Sequence, residues 1–138
     1  MQTVTKQKIT TFLMFSGHAE EAVKLYTSLF KDSQILKLVR YGTSGPGAEG
    51  TVQKALFSLN GQEFMATDSA VKHEFGFTPA ISLFINCDTE EEVDELFKNL
   101  SEGGQILMPL NKYPFSDKFC WITDKYGVSW QVSKTSPV

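Results

Sequence analysis

Hydrophobic positions along the chain change their period twice in each half, from two to 3.6 and back to two. In the first half, a short apolar stretch of strand length spans residues 10–16. The next apolar residues follow the i, i+3, i+4, i+7, i+8 spacing of one helix face. We therefore predict a strand followed by a helix whose buried stripe comprises Ala22, Leu25, Tyr26, Leu29 and Phe30.

A second helix is predicted in the other half, with Val93, Leu96, Phe97 and Leu100 as its buried stripe. It begins with Thr89-Glu90-Glu91-Glu92, a capping box whose acidic first turn suits the positive end of a helix. It ends at Gly103-Gly104, which is typical of a helix C-terminus.

Strand-like runs follow each helix. Asn60-Gly61 lies between two apolar runs and predicts a tight hairpin. The predicted strands span residues 33–41, 52–59 and 62–67 in the first half, and 105–110, 118–123 and 128–133 in the second. Each half is thus a βαβββ module, and so few helices can cover only one face of the sheets.

The two halves also match each other in sequence. A shift of 71 residues aligns Ile9–Lys37 with Ala80–Met108 without a gap and pairs identical residues at several positions. We predict one α+β domain over residues 1–138, built from tandem modules at about 8–70 and 78–134. The modules are expected to form a curved mixed sheet with helices on the convex face and an open cleft on the other.

Alternation along the strands predicts which side chains lie on the open face. It places Ile81, Leu83 and Ile85 under the helix and Ser82, Phe84 and Asn86 on the open face. Through the repeat, it assigns Thr11, Leu13 and Phe15 to the open face as well. Trp121 is a candidate floor for a flat ligand, or else a core or interface aromatic, whereas Trp130 is assigned to the core.

Composition narrows the class of protein. Lys plus Arg number 13 and Asp plus Glu number 16, which gives a net charge of −3. Without a basic excess, nucleic acid and anionic membranes are poor candidate partners. No apolar run is long enough for a membrane span. Cys87 and Cys120 form no CxxC pair and are interpreted as packed, reduced thiols, with a single disulfide as the minor alternative. We therefore expect a cytoplasmic protein.

The final hairpin, Phe119-Cys120-Trp121-Ile122-Thr123-Asp124-Lys125-Tyr126-Gly127-Val128-Ser129-Trp130-Gln131, and the duplicated module resemble the vicinal oxygen chelate superfamily, the glyoxalase and bleomycin-resistance fold. More narrowly, residues 78–83 and 86–94 resemble the PhnB-like proteins, a group labelled 3-demethylubiquinone-9 3-methyltransferase. The resemblance implies a small-molecule ligand and a homodimer that completes its clefts by pairing modules.

The resemblance also implies where a metal would be held, namely at four positions on the open face. Mapped onto this chain they are Thr11, Met65, Ser82 and Gln131, and none is a histidine or a carboxylate. We therefore expect no metal and no cofactor. The Gly-rich strand-to-helix turn that commonly binds a methyl donor is also missing. The loop Gly42–Gly50 is interpreted as a mobile flap or loop rather than as a phosphate-binding loop.

Candidate ligand-binding residues are therefore Thr11, Leu13, Phe15, Met65, Ser82, Phe84, Trp121 and Gln131. Weaker candidates for catalysis are His73 as a general base, Cys120 as a nucleophile and Asp68. The favoured function is metal-free binding of a small molecule. The alternatives are a transferase or lyase with a non-standard site, and a structural or regulatory dimer without a ligand.

Overall fold

The computed structural model describes residues 7–134. The chain divides between Glu74 and Phe75 into two compact units. The first contains β1 (Thr11–Phe15), α1 (Ala19–Leu29), β2 (Gln34–Arg40), β3 (Val52–Leu59) and β4 (Gln62–Asp68). The second contains β5 (Ser82–Asn86), α2 (Glu90–Ser101), β6 (Gln105–Tyr113), β7 (Ser116–Thr123) and β8 (Ser129–Lys134). The predicted α+β class and the βαβββ order of each half are confirmed.

Each unit is a four-stranded mixed sheet with one helix. The strand orders are β1-β4-β3-β2 and β5-β8-β7-β6. In both sheets the first strand pairs in parallel with the last, and the other pairs are antiparallel. The predicted tight turn joins β3 to β4, where Asn60 and Gly61 both have positive φ, at 51° and 84°. These angles suit a two-residue hairpin of the I′ type.

Helix α1 buries only part of the predicted stripe, since Ala22 and Tyr26 are buried as expected. Its buried residues are Ala19, Ala22, Val23 and Tyr26. Leu25, Leu29 and Phe30 are only partly buried, so their assignment to the buried stripe is wrong. Val23 rather than Leu25 is buried because the four buried residues form one helix face, with the spacing i, i+3, i+4, i+7.

Helix α2 follows the prediction more closely. Val93, Leu96 and Leu100 are buried. The Thr89 hydroxyl accepts a hydrogen bond from the Glu92 backbone N–H at 3.1 Å, so the predicted N-cap is confirmed. Beyond the helix, a Cβ at Gly104 would lie 1.9 Å from the carbonyl oxygen of Thr123, so only glycine fits there.

Strand register shows that the repeat is not gapless. Thr11 pairs with Phe64 on β4, and Leu83 pairs with Trp130 on β8. Because Phe64 and Trp130 each lie three residues after the glycine of their turn, Thr11 corresponds to Leu83, and Phe12 to Phe84. The shift for β1 is therefore 72, whereas the helices begin 71 residues apart. The extra residue lies between β1 and α1.

One further assignment of exposure is corrected. Ile81 precedes β5 and is 79% exposed, so it does not lie under the helix as predicted. The loop Gly42–Gly50 packs on Tyr41, because a Cβ at Gly47 would lie 2.4 Å from the Tyr41 ring. The Tyr41 hydroxyl donates to the backbone oxygen of Asp68 at 3.0 Å. A glycine at position 47 thus allows the loop to fold against a buried ring.

Candidate functional site

Four side chains of the second unit form a continuous hydrogen-bonded row across its sheet. Trp121 Nε1–H donates to Ser129 Oγ at 2.9 Å, and the hydroxyls of Ser129 and Ser82 lie 2.7 Å apart. Gln131 Nε2–H donates to Ser82 Oγ at 3.2 Å. We call Trp121, Ser129, Ser82 and Gln131 the polar row. Ser129 is buried, and the other three are half-buried and reach the surface.

Strand pairing positions the polar row. Ser82 on β5 pairs with Ser129 on β8, and Trp121 on β7 pairs with Gln131. Side chains of directly paired residues share a face of a sheet, so three neighbouring strands present these groups together. Lys118 and Cys120 lie on the opposite face of β7 from Trp121. Lys118 forms an ion pair of 2.6 Å with Asp94 of α2, so this opposite face lies against the helix. The polar row therefore occupies the face that α2 does not cover.

Aromatic side chains adjoin the polar row. Phe84 pairs with Gln131 and is 51% exposed. Its ring centroid lies 6.5 Å from that of Phe119, which in turn makes edge-on contacts with Tyr113 and Phe115. The face thus combines hydrogen-bonding groups with an exposed aromatic surface, which are the elements of a binding site for a small molecule.

The first unit has an apolar counterpart of this face. Phe12 pairs with Met65 as Phe84 pairs with Gln131, and Phe12 is 57% exposed. Met14 is 39% exposed on the same side of β1. In this unit a methionine stands where the second has a glutamine, so it lacks a matching amide. Phe12, Met14 and Ser129 were missed from the sequence, although a shift of 72 would have paired Phe12 with Phe84.

Leu13 and Phe15 do not lie on the open face, so that prediction is wrong. Leu13 is 8% exposed and Phe15 3%, because they pair with Ala66 and Asp68 on the face covered by α1. Thr11 is exposed but pairs with Phe64, whereas Met65 is on the opposite face of the same sheet. The extra residue before α1 reversed the predicted parity of the whole strand. The structure therefore brings together Ser82, Phe84, Trp121 and Gln131.

Asp68 is engaged in holding the first unit together. It is 2% exposed, and its Oδ1 accepts hydrogen bonds from the backbone N–H groups of Gly17 at 2.7 Å and Ala19 at 3.0 Å. Its Oδ2 accepts from the N–H of Val52 at 2.9 Å. His18, the N-cap of α1, makes no side-chain cap, so Asp68 supplies the acceptor from β4. These contacts indicate a structural carboxylate and argue against the catalytic role considered for it.

The two cysteines are packed thiols. Both are free and buried, as predicted. Burial raises the pKa of Cys120 to about 11, and burial together with nearby acidic groups raises the pKa of Cys87 to about 12. A thiol with such a pKa has almost no thiolate at neutral pH, so burial and pKa both argue against the nucleophilic role considered for Cys120. His73, the third candidate, is exposed and its Nε2 lies 3.0 Å from Ser69 Oγ.

The donor atoms at the four mapped positions do not fit a divalent metal. Thr11 and Ser82 offer hydroxyls, Met65 a thioether and Gln131 an amide, whereas such metals in this type of site prefer imidazole or carboxylate ligands. Thr11 and Met65 also lie on opposite faces of their sheet. Within residues 7–134, no three His, Cys, Asp or Glu side chains are grouped as a metal site. The described part of the chain also has no helix suited to crossing a membrane.

The two sheets, each with one helix, define the glyoxalase and bleomycin-resistance fold. A glyoxylase/bleomycin resistance protein/dioxygenase domain from Frankia superposes with a TM-score of 0.65 over 97% of this chain and all of that one, at 14% identity. At that identity the likeness concerns the fold alone.

Sequence similarity identifies the family to which this chain belongs. The family model for 3-demethylubiquinone-9 3-methyltransferase matches residues 7–133, and the chain belongs to this family. The PhnB protein from Bacillus cereus is 61% identical, with a TM-score of 0.92 over 94% of this chain and all of that one. Protein PA1353 from Pseudomonas aeruginosa is 26% identical, with a TM-score of 0.82 over 96% of this chain and all of its own. The resemblance to PhnB-like proteins is therefore confirmed.

Proposed function

We propose that this protein binds a small molecule, without a metal, on the face of the second unit formed by the polar row and Phe84. The polar row is the observation that supports this most strongly. A hydrogen-bonded chain linking three strands fixes the orientation of its groups, and such preorganisation lowers the entropy lost on binding. The exposed ring of Phe84 beside it offers a surface for an apolar or aromatic part of the ligand.

The alternative of a transferase or lyase has no comparable support. Asp68 is occupied by three backbone N–H groups, and Cys120 is a buried neutral thiol. The family description names a methyltransferase, but the polar row contains no histidine, cysteine or carboxylate able to accept a proton or to act as a nucleophile at neutral pH. We therefore infer binding rather than catalysis, in the cytoplasm, where its free thiols would stay reduced.

The two tryptophans provide a test with an internal control. The indole N–H of Trp121 belongs to the polar row, whereas that of Trp130 donates to the buried Asp124 at 2.9 Å. The chain has only these two tryptophans, so a ¹H–¹⁵N spectrum resolves one indole signal for each. Titration with benzamide, a small aromatic amide, should move the Trp121 signal and leave the Trp130 signal in place. If both signals move equally, or if neither moves with benzamide or with its charged and apolar analogues, the proposed site is wrong.

We further propose that the working unit is a homodimer. Phe12 and Met14 replace Leu13 and Phe15 as the exposed apolar residues of β1, and a second copy of the chain would cover them. Sedimentation equilibrium at micromolar concentration should give a species of twice the 15.4 kDa chain mass. A single species at the mass of one chain would contradict this.

A further inference from the structure

The strand neighbours of the polar row are uncharged. Its strand partners outside the row are Phe84, Thr123 and Met108. The next residues of the same face, on β5, β7 and β8, are Asn86, Phe119 and Ser133. None of these side chains ionises near neutral pH. A charged ligand group placed on the polar row would therefore lose water without meeting an opposite charge.

The single arginine of the chain and two lysines on the strands of the second unit are each paired with a carboxylate. Arg40 is the only arginine in the chain, and it forms two hydrogen bonds with Glu20, at 3.0 and 2.6 Å. In the second unit Lys118 pairs with Asp94 at 2.6 Å and Lys134 with Asp117 at 3.5 Å. Guanidinium and ammonium groups are the usual partners of phosphate, phosphonate and carboxylate. Because these three cations are paired and no cation is a strand neighbour of the polar row, an anionic ligand is disfavoured on this face.

A count of hydrogen bonds shows which donors and acceptors of the polar row are left for a ligand. Each serine has one hydroxyl hydrogen, and only one of the two is used between Ser129 and Ser82. Because Ser129 is 2% exposed and Ser82 is half-buried, the spare hydrogen reaches the surface when Ser129 donates to Ser82. Gln131 uses one Nε2 hydrogen on Ser82 and retains its carbonyl oxygen as an acceptor. A donor and an acceptor therefore lie side by side.

We infer that the ligand is neutral and planar, and that it contains a group of the amide type, such as a carboxamide or a lactam, attached to a ring. Its carbonyl oxygen accepts from Ser82 and its N–H donates to Gln131, while the ring lies against Phe84. This inference rests on the proposed binding function and specifies its ligand class. If the ligand is charged, this inference is wrong even where the proposed location of the site is right.

Four probes of nearly equal shape test the inference: benzamide, benzoate, benzamidine and toluene. They carry a neutral amide, an anion, a cation and an apolar methyl group on the same ring. Affinities are measured from the shift of the Trp121 indole signal. Benzamide should bind about tenfold more tightly than the other three. Benzoate and benzamidine would lose water without meeting an opposite charge, and toluene would leave the groups of Ser82 and Gln131 without a hydrogen-bond partner.

The outcomes separate the two proposals. If benzoate, benzamidine or toluene matches benzamide while still shifting Trp121, the site stands and the inference about ligand class is overturned. If no probe shifts the Trp121 signal, both the proposed binding site and the inferred ligand class are wrong.

Substitution of Gln131 gives an independent check. Gln131→Met introduces the residue that the first unit has at the equivalent position, and should remove the preference for benzamide over toluene. Gln131→Glu adds a carboxylate and should shift the preference toward benzamidine. Met65→Gln is the matched control and should leave all four affinities unchanged. An unchanged preference in a folded Gln131→Met protein would contradict the role assigned to this amide.

Discussion

Replacing Asp68 by alanine tests whether this buried carboxylate is a structural element of the first unit. The substitution removes the acceptor of three backbone N–H groups, those of Gly17, Ala19 and Val52. Gly17 is exposed, so water can replace the lost partner there. Ala19 and Val52 are fully buried and would be left with unsatisfied N–H groups.

The magnitude follows from those two buried amides. Each unsatisfied buried donor costs about 1–3 kcal/mol, so Asp68→Ala should lower the free energy of unfolding by about 2–6 kcal/mol. Domains of this size are stable by roughly 5–15 kcal/mol, so the variant should fold but be strongly destabilised. Asp68→Asn keeps one acceptor oxygen and should lose less.

Urea denaturation followed by circular dichroism measures the change. Asp94→Ala is the control, because it breaks an exposed ion pair with Lys118 and should cost less than about 1 kcal/mol. In the folded Asp68→Ala protein, benzamide should still shift the Trp121 signal as in the parent. An Asp68→Ala protein with the stability of the parent, or one that has lost benzamide binding while folded, would refute the structural role.

Three further predictions concern the helix ends and the thiols. Thr89→Ala should cost about 1 kcal/mol of stability in the same assay and Thr89→Ser almost none, because only alanine removes the capping oxygen; equal losses would contradict the cap. The hydrogen bond from Arg40 lowers the pKa of Glu20 to about 2, so the stabilisation lost in Glu20→Gln should be present above pH 4.5 and vanish toward pH 2; a difference independent of pH would argue against this. Cys87 and Cys120 should resist a thiol reagent at pH 8 in the native protein and react fully in urea, and rapid native modification of either would show that it is not buried as described.

Sequence patterning was sufficient for the order of the elements and for one of the two faces. The alternation of Ser82 and Phe84 with apolar neighbours, together with the hairpin containing Trp121, located the exposed face of the second unit correctly. Apart from Ile81, which is exposed, the strands of that unit have the buried and exposed faces that their alternation predicts. Trp130 also proved to be core, as its parity indicated.

The first unit could not be assigned by the same means. The segment between β1 and α1, which contains Gly17 at a φ of 114°, is one residue longer than its counterpart in the second unit. The shift that aligns the two helices therefore does not align β1 with β5. Because side chains alternate along a strand, this one-residue difference led to Leu13 and Phe15 being assigned to the open face, where Phe12 and Met14 lie. The role of Asp68 was equally hidden, since an acceptor from β4 that caps a helix 49 residues earlier leaves no local pattern.

The most direct test of the central claim compares two equivalent phenylalanines. Phe84 and Phe12 occupy matching positions, pair with Gln131 and Met65, and are 51% and 57% exposed. Benzamide affinity is measured for Phe84→Ala and Phe12→Ala, with the sedimentation profile of each variant recorded. Loss of the aromatic contact should weaken binding roughly threefold to tenfold in Phe84→Ala and leave Phe12→Ala like the parent. Equal affinities in the two variants would contradict a ligand site on the face of the second unit.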